Sequence, residues 1–206
     1  MFSLFKDGTQ RSCKVTIKCI DMRRIVIAVS GKPGSGKTTY AKFIAQRYGL
    51  RYISNGMIFR RLATERGYSF EEFHRIAESD PSIDKLIDER AIEEAKKGCV
   101  VVDGHLSVWV LKDIAHLKII CDASFDVRAE RVSKRDNLPI QDVKMLLRLR
   151  EQSNSERAKK HYGIDLSDLS VSDLVVSTEK LDVEGVKKVI KTFIDEYKRL
   201  NPLLFP

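Results

Sequence analysis

Arg24–Gly49 reads RIVIAVSGKPGSGKTTYAKFIAQRYG. Its first seven residues are short, apolar and rich in β-branched side chains, the pattern of a buried strand. Its second half is a helical run stopped by Gly49. Between them, Gly31–Thr38 matches G-x-x-x-x-G-K-[ST]. With glycine at ~7% of residues, the four fixed positions arise by chance in roughly one chain of this size per hundred. A strand before and a helix after make an accident rarer still. Gly34 and Gly36 let the backbone turn its N–H groups inward onto a phosphate. The helix that follows adds its positive N-terminal end. Lys37 is placed to reach β- and γ-phosphates, and Thr38 offers a hydroxyl to Mg²⁺. The stretch therefore predicts a nucleoside triphosphate site on Gly31, Lys32, Pro33, Gly34, Ser35, Gly36, Lys37, Thr38 and Thr39.

Outward from this turn, strand and helix alternate. LRYIS, CVVVDG, LKIICD and SDLVVST read as further short strands. Residues 57–97 read as mostly helical with a break at Pro81, and 125–135 and 139–161 as helices separated by DNLP. DVEGVKKVIKTFIDEYKRL is an amphipathic closing helix, with Val183, Val186, Ile190, Phe193, Ile194 and Tyr197 on one face. Short apolar strands separated by helices predict an α/β fold, a five-stranded parallel sheet flanked by helices on both faces. In CVVVDGH, an acid ends a buried strand, the usual partner of a nucleotide-bound Mg²⁺. Asp103 is the metal-site candidate beside Thr38.

The 206 residues suffice for one domain with a sizeable core. No apolar run approaches the ~20 residues that span a bilayer. The opening residues lack a basic head followed by an apolar stretch, so they do not read as a signal peptide, and the expected location is cytoplasmic. Cys99 and Cys121 lie in strand-like runs and read as small buried hydrophobes. Cys13 and Cys19 lack the spacing and histidines of a zinc site. The net charge is +8. Residues 1–24 hold six basic and two acidic residues, and residues 126–160 hold ten basic and six acidic, net +4 in each. A protein coated by nucleic acid spreads its basic surface further. Residues 1–21 lack periodicity and precede a second methionine, Met22, just before the first strand. They read as a flexible N-terminal extension.

The basic segment must be matched to a phosphate acceptor. A protein hydroxyl would require a catalytic base, and no such pattern is visible. A nucleoside monophosphate requires none, because its second pKa lies near 6 and it is largely dianionic at neutral pH. Its difficulty is approach to a polyphosphate of like charge. Guanidinium groups, always charged and able to bind phosphate oxygens in pairs, meet that difficulty. They must come from an element that closes, since an open site transfers phosphate to water. Arg128, Arg131 and Arg135 are spaced i, i+3, i+7 on one helix, and Arg148, Arg150 and Arg157 lie on the next. The competing reading, RNA held along this segment, lacks interleaved aromatics, and nucleic acid is not the expected partner.

From about Met22 to Arg199 the chain resembles the archaeal-type cytidylate kinases, members of the P-loop nucleoside monophosphate kinases. The resemblance rests on GKPGSGKT, YISNGMIFRRLA, VVVDGHLSVWV, RAERVSKRD, RLREQSNSERAKKHYGIDLSDLS and SDLVVST, in that order. It implies a P-loop NTPase fold and transfer of the ATP γ-phosphate to CMP or dCMP with Mg²⁺. It implies that Arg60 binds the CMP phosphate, that Ser54 and Gly56 shape the monophosphate pocket, and that Asp173 lies near the cytidine. It assigns Arg131 and Arg135 to a lid over the ATP side, and Arg150 and Arg157 to the phosphates being exchanged. The implied layout is one domain over residues 22–200. Within it, 54–97 form the monophosphate-binding segment and 126–161 the lid, in a protein expected to be monomeric. The family commonly carries Asp/Glu-Gly-Arg where this chain has Asp103-Gly104-His105. His105 is accordingly expected to substitute for the arginine by gaining charge beside phosphates. An adenylate- or uridylate-type kinase on the same scaffold, or an RNA- or ribosome-associated ATPase, are the alternatives.

Overall fold

The computed structural model describes residues 24–206, and the N-terminal extension expected at 1–21 lies outside the described residues, as do Cys13 and Cys19. Strand β1 (Val26–Ser30) leads through the glycine turn to helix α1 (Lys37–Tyr48) and β2 (Arg51–Ser54). Three helices follow: α2 (Asn55–Glu65), α3 (Phe70–Ser79) and α4 (Ser82–Lys96). Then come β3 (Val100–Asp103), the single turn α5 (Ser107–Val110), β4 (Leu117–Asp122), α6 (Phe125–Asp136) and α7 (Ile140–Tyr162). Strand β5 (Leu174–Ser177) and helix α8 (Val183–Leu200) complete the order.

The sheet has five strands in the order β2-β3-β1-β4-β5. Every pairing is parallel. All five residues of β1 are buried, as a strand covered on both faces requires. On one face Ile27, Val29, Ile44, Ile119, Ile190 and Ile194 form a core with α1 and α8. On the other, Val26, Ala28, Val102, Ile58, Ile83 and Val108 pack with the helices between β2 and β4. A third, small cluster of Ala129, Val132, Val143 and Leu147 joins α6 to α7. The α6–α7 hairpin thus carries a core of its own.

Register fixes where the chemistry sits. Asp103 is level with Val29 on one side and Ser54 on the other. The glycine turn, Asp103 and the start of α2 therefore share the C-terminal edge of the sheet. That edge is where open parallel sheets bind ligands.

Two differences from the sequence reading concern the closing helix. Val183, expected on its buried face, is 48% exposed, while Val186, Ile190 and Ile194 are fully buried. The domain also continues past residue 200. Ile25 N–H donates to Leu204 O at 3.0 Å, and Phe205 is buried against the rings of Tyr48 and Tyr197. The helical periodicity that ends at Leu200 does not register an aromatic that folds back beside the first strand. Among the described residues, no helix is long and apolar enough to cross a membrane.

Candidate active site

Gly34 and Gly36 adopt φ of 83° and 85°, the left-handed region that favours glycine. A Cβ on Gly34 would also meet the carbonyl oxygen of Arg128 at 2.6 Å. Gly36 caps α1, and Lys37 is its first helical residue. Burial lowers the Lys37 pKa, opposed chiefly by the Asp103 charge, and the positive Arg135 adds to the lowering. Arg135, on the α6–α7 hairpin, thus places a positive charge near Lys37. Its guanidinium meanwhile rests on the carboxylate of Asp136, with both contacts at 2.7 Å.

Thr38 donates its hydroxyl to Asp103 Oδ2 at 2.6 Å, and Tyr52 donates to the same oxygen at 2.8 Å. Asp103 is buried, and its Oδ1 has no hydrogen-bond partner. A buried acceptor left open beside a hydroxyl suits a hard divalent cation that completes its shell with phosphate oxygens and water. Among the described residues no cluster of three or more His, Cys, Asp or Glu side chains could hold a metal without such help. Tyr52 was not singled out by sequence. Burial, then the Asp103 carboxylate, push its phenol up to about 12, so it stays a donor.

Beside this turn lies a cavity of about 630 Å³. Asn55, Gly56 and Arg60 reach it from the first turns of α2, and His105 from the end of β3. Arg150, Ser153 and Asn154 line it from α7, and Asp84 and Asp88 from α4. The structure thus brings Gly56, Arg60, His105 and Arg150 to one cavity. Ser54 does not line the cavity. Its hydroxyl accepts from Met57 N–H at 3.2 Å, capping α2. It shapes the pocket only by fixing where that helix starts.

His105 reaches the cavity from a largely enclosed position. Its Nδ1 lies 3.3 Å from Gly31 O, while its Nε2 is buried without a partner. Burial dominates and lowers its pKa from 6.5 to about 4, with Lys37 and Lys32 pushing the same way. In the unliganded protein His105 is a neutral imidazole, with Nδ1–H facing the loop carbonyl and Nε2 as an acceptor. The charge expected of it depends on phosphates beside it, which favour the charged form.

Three other candidates make protein contacts that the sequence does not show. Arg131 donates to Thr178 Oγ1 at 2.9 Å and to Thr178 O at 2.6 Å, with a longer contact to Gly34 O. It braces the glycine turn against the segment after β5. Arg128 is buried, paired with Glu151 and donating to Ala123 O. A shared helix face showed which arginines point together, but not that this face packs onto protein. Asp173 accepts from Lys118 N–H at 2.7 Å and pairs with the Lys118 ammonium at 3.0 Å, near the start of β4. Strand β5 is the edge strand farthest from β2, and Asp173 is not among the residues that line the cavity. Arg157 falls on α7, but its side chain lies outside the described residues.

Sequence reasoning missed Asp84, Asp88, Ser153, Asn154 and Tyr162. A signal for the acids was present. Each follows a core isoleucine, Ile83 or Ile87, which sets both carboxylates at the border of the buried stripe of α4.

Solved structures with this architecture include an uncharacterised protein from Eubacterium ventriosum, TM-score 0.66 at 18% identity, covering 84% of this chain and 99% of that one. Shikimate kinase from Bacteroides thetaiotaomicron matches with TM-score 0.58 at 13% identity, covering 83% and 98%. These likenesses establish the fold. Closer in sequence is the cytidylate kinase of Staphylothermus marinus, 47% identical over 84% of this chain and 98% of its own length. The cytidylate kinase of Methanocaldococcus jannaschii is 44% identical over 85% of this chain and 100% of its own. The model of the cytidylate kinase-like family matches residues 26–180. With the glycine turn, the Thr38–Asp103 pair and the Arg60–Arg150 cavity on one sheet edge, the chain belongs to the cytidylate kinase-like family.

Proposed function

We propose that this protein transfers the γ-phosphate of ATP to CMP, and to dCMP, giving the diphosphate and ADP. The observation that carries this reading is the cavity beside the glycine turn, with Arg60 and Arg150 facing it from different segments. Relatives named cytidylate kinases, at 44–47% identity, support it over the adenylate, uridylate and RNA-associated ATPase alternatives.

The chemistry asks little of the protein beyond placement and charge. The triphosphate lies in the Gly31–Thr39 turn, its charge met by loop N–H groups, the α1 N-terminus and Lys37. The CMP phosphate enters against Arg60 and the start of α2. One of its oxygens bonds to the γ-phosphorus as the bond from that phosphorus to the β–γ bridging oxygen breaks, leaving ADP. The nucleophile is already an anion, so no general base is required. Arg150 offsets the like charges that meet at this step, and the α6–α7 hairpin excludes water. Thr38 and Asp103 would hold Mg²⁺, which supplies charge neutralisation on the phosphates when bound. Arg135 serves the ATP side and Arg157 the exchanged phosphates in this reading.

The test is a coupled assay of ADP formation across CMP, dCMP, UMP, AMP and GMP. CMP and dCMP are expected to lead, with AMP and GMP poor. ATP consumption without a monophosphate, or stimulation by RNA, would overturn the reading.

A further inference from the structure

Helix α7 presents different residues to different parts of the fold. Val143 and Leu147 face α6 in the small core of the hairpin, and Glu151 follows them at the same four-residue spacing. The apolar stripe thus ends on a carboxylate. Glu151 pairs with Arg128 of α6 through Oε1, and its Oε2 lies 3.7 Å from Lys32 Nζ in the glycine turn. Arg128 is only 3% exposed, and it also donates to Ala123 O at 3.0 Å and to Pro33 O at 3.3 Å. Glu151 is therefore joined to the glycine turn by two routes, directly through Lys32 and indirectly through Arg128. The residue before it, Arg150, is turned by about 100° around the helix. Arg150 is exposed and lines the cavity.

We infer that Glu151 is a positioning residue for phosphoryl transfer, docking α7 on the glycine turn and so setting where Arg150 stands relative to the triphosphate. The inference rests on the cytidylate kinase reading. The buried residues of the hairpin core all belong to α6 and α7, so they hold the hairpin together without tying it to the turn. Arg131 ties α6 to that turn, through its contacts to Gly34 O and Thr178. For α7 the tie is Glu151. An exposed arginine takes its place from the helix that carries it, and rates of transfer depend steeply on such placement. A carboxylate beside a loop that receives a triphosphate also repels that ligand. Lys32 and Arg128 offset the charge, so Glu151 is tolerated there in a paired state.

The test measures kcat and the KM for ATP and for CMP in the full chain, in Glu151→Ala, in Arg150→Ala and in the variant carrying both, with the urea midpoint of each. Glu151→Ala should lower kcat about ten- to a hundredfold, since a misplacement of about 1 Å can cost a hundredfold. Its KM for ATP should stay level or fall, because a negative charge has left the turn, whereas a turn merely loosened would raise it. In the Arg150→Ala background the same substitution should lower kcat further by about twofold at most, because Glu151 acts through Arg150. The shifts in urea midpoint should instead add, since stability does not pass through Arg150. If Glu151→Ala does not fold, Glu151→Gln, which keeps an acceptor for Arg128, carries the same cycle. Losses in kcat that multiply in the double variant, or a raised KM for ATP with kcat unchanged, overturn this inference and leave the kinase reading standing. A wild-type protein that forms no ADP in response to CMP overturns the cytidylate kinase reading itself.

Discussion

Thr38 Oγ1 lies 2.6 Å from Asp103 Oδ2, tying the first turn of the helix after the glycine loop to the end of β3, whose last residue is level with Ser54 on the neighbouring β2. The pair is separated by 65 residues in sequence. It holds one carboxylate oxygen fixed and leaves the other buried and open. Asp103→Asn should raise the Mg²⁺ concentration needed for half-maximal rate and cost on the order of 3 kcal/mol in the transition state. A Mg²⁺ titration of the kinase rate checks this. An unchanged half-saturation point would remove Asp103 from the metal site.

In the proposed reaction Lys37 and Arg60 serve different phosphates, and their losses should separate. Lys37→Ala should cost about 3 kcal/mol or more of transition-state stabilisation, because its charge is used as the phosphoryl group transfers. Arg60→Ala should mainly raise the KM for CMP and leave the KM for ATP near that of the wild type. Steady-state kinetics with each substrate varied in turn distinguish the two. Equal loss of ATP affinity in both variants would contradict the division.

The buried, neutral His105 sets an acid limit on stability. Its pKa is about 4 folded against 6.5 in the ordinary state, so between these values the unfolded chain binds the extra proton. The stabilising effect is complete above about pH 6.5 and is lost as pH falls through that window. His116, whose pKa burial also lowers, acts in the same direction and remains in the variant. His105→Gln should lose less stability than the wild type between pH 7.5 and pH 5. Urea midpoints of the ligand-free proteins at both values test it. Parallel losses would mean that His105 is solvated.

Phe205, 3% exposed, closes the base of the α1–α8 core, its ring centroid 5.9 Å from that of Tyr48. Phe205→Ala should destabilise the fold by about 3 kcal/mol, the low end for a buried aromatic. The midpoint of denaturant unfolding should fall with little change in kcat. A midpoint within error of wild type would place the C-terminal residues outside the domain.

The sequence by itself determined the features that are local. The glycine turn reads directly because its backbone conformation, its lysine and its helix start lie within eight residues, Gly31–Thr38. The parallel sheet follows from runs such as VIAVS and VVVD, buried on both faces and separated by helices. Asp103 was legible because an acid that ends a buried strand arrives at the edge where the turn already sits. Arg60 was reached through the resemblance carried by YISNGMIFRRLA. What periodicity supplies is which side chains share a face. What it lacks is the identity of whatever that face meets. Arg128 and Arg131 share one face, and only packing against Glu151, Thr178 and the glycine turn made them braces. Tyr162 and Asp88 are 74 residues apart, and nothing local in either segment encodes their meeting. Asp173 met Lys118, and Phe205 entered the core, for the same reason. A side chain's partners across the fold depend on how helices and sheet stack, which is a property of the whole chain's packing and not of any window of it.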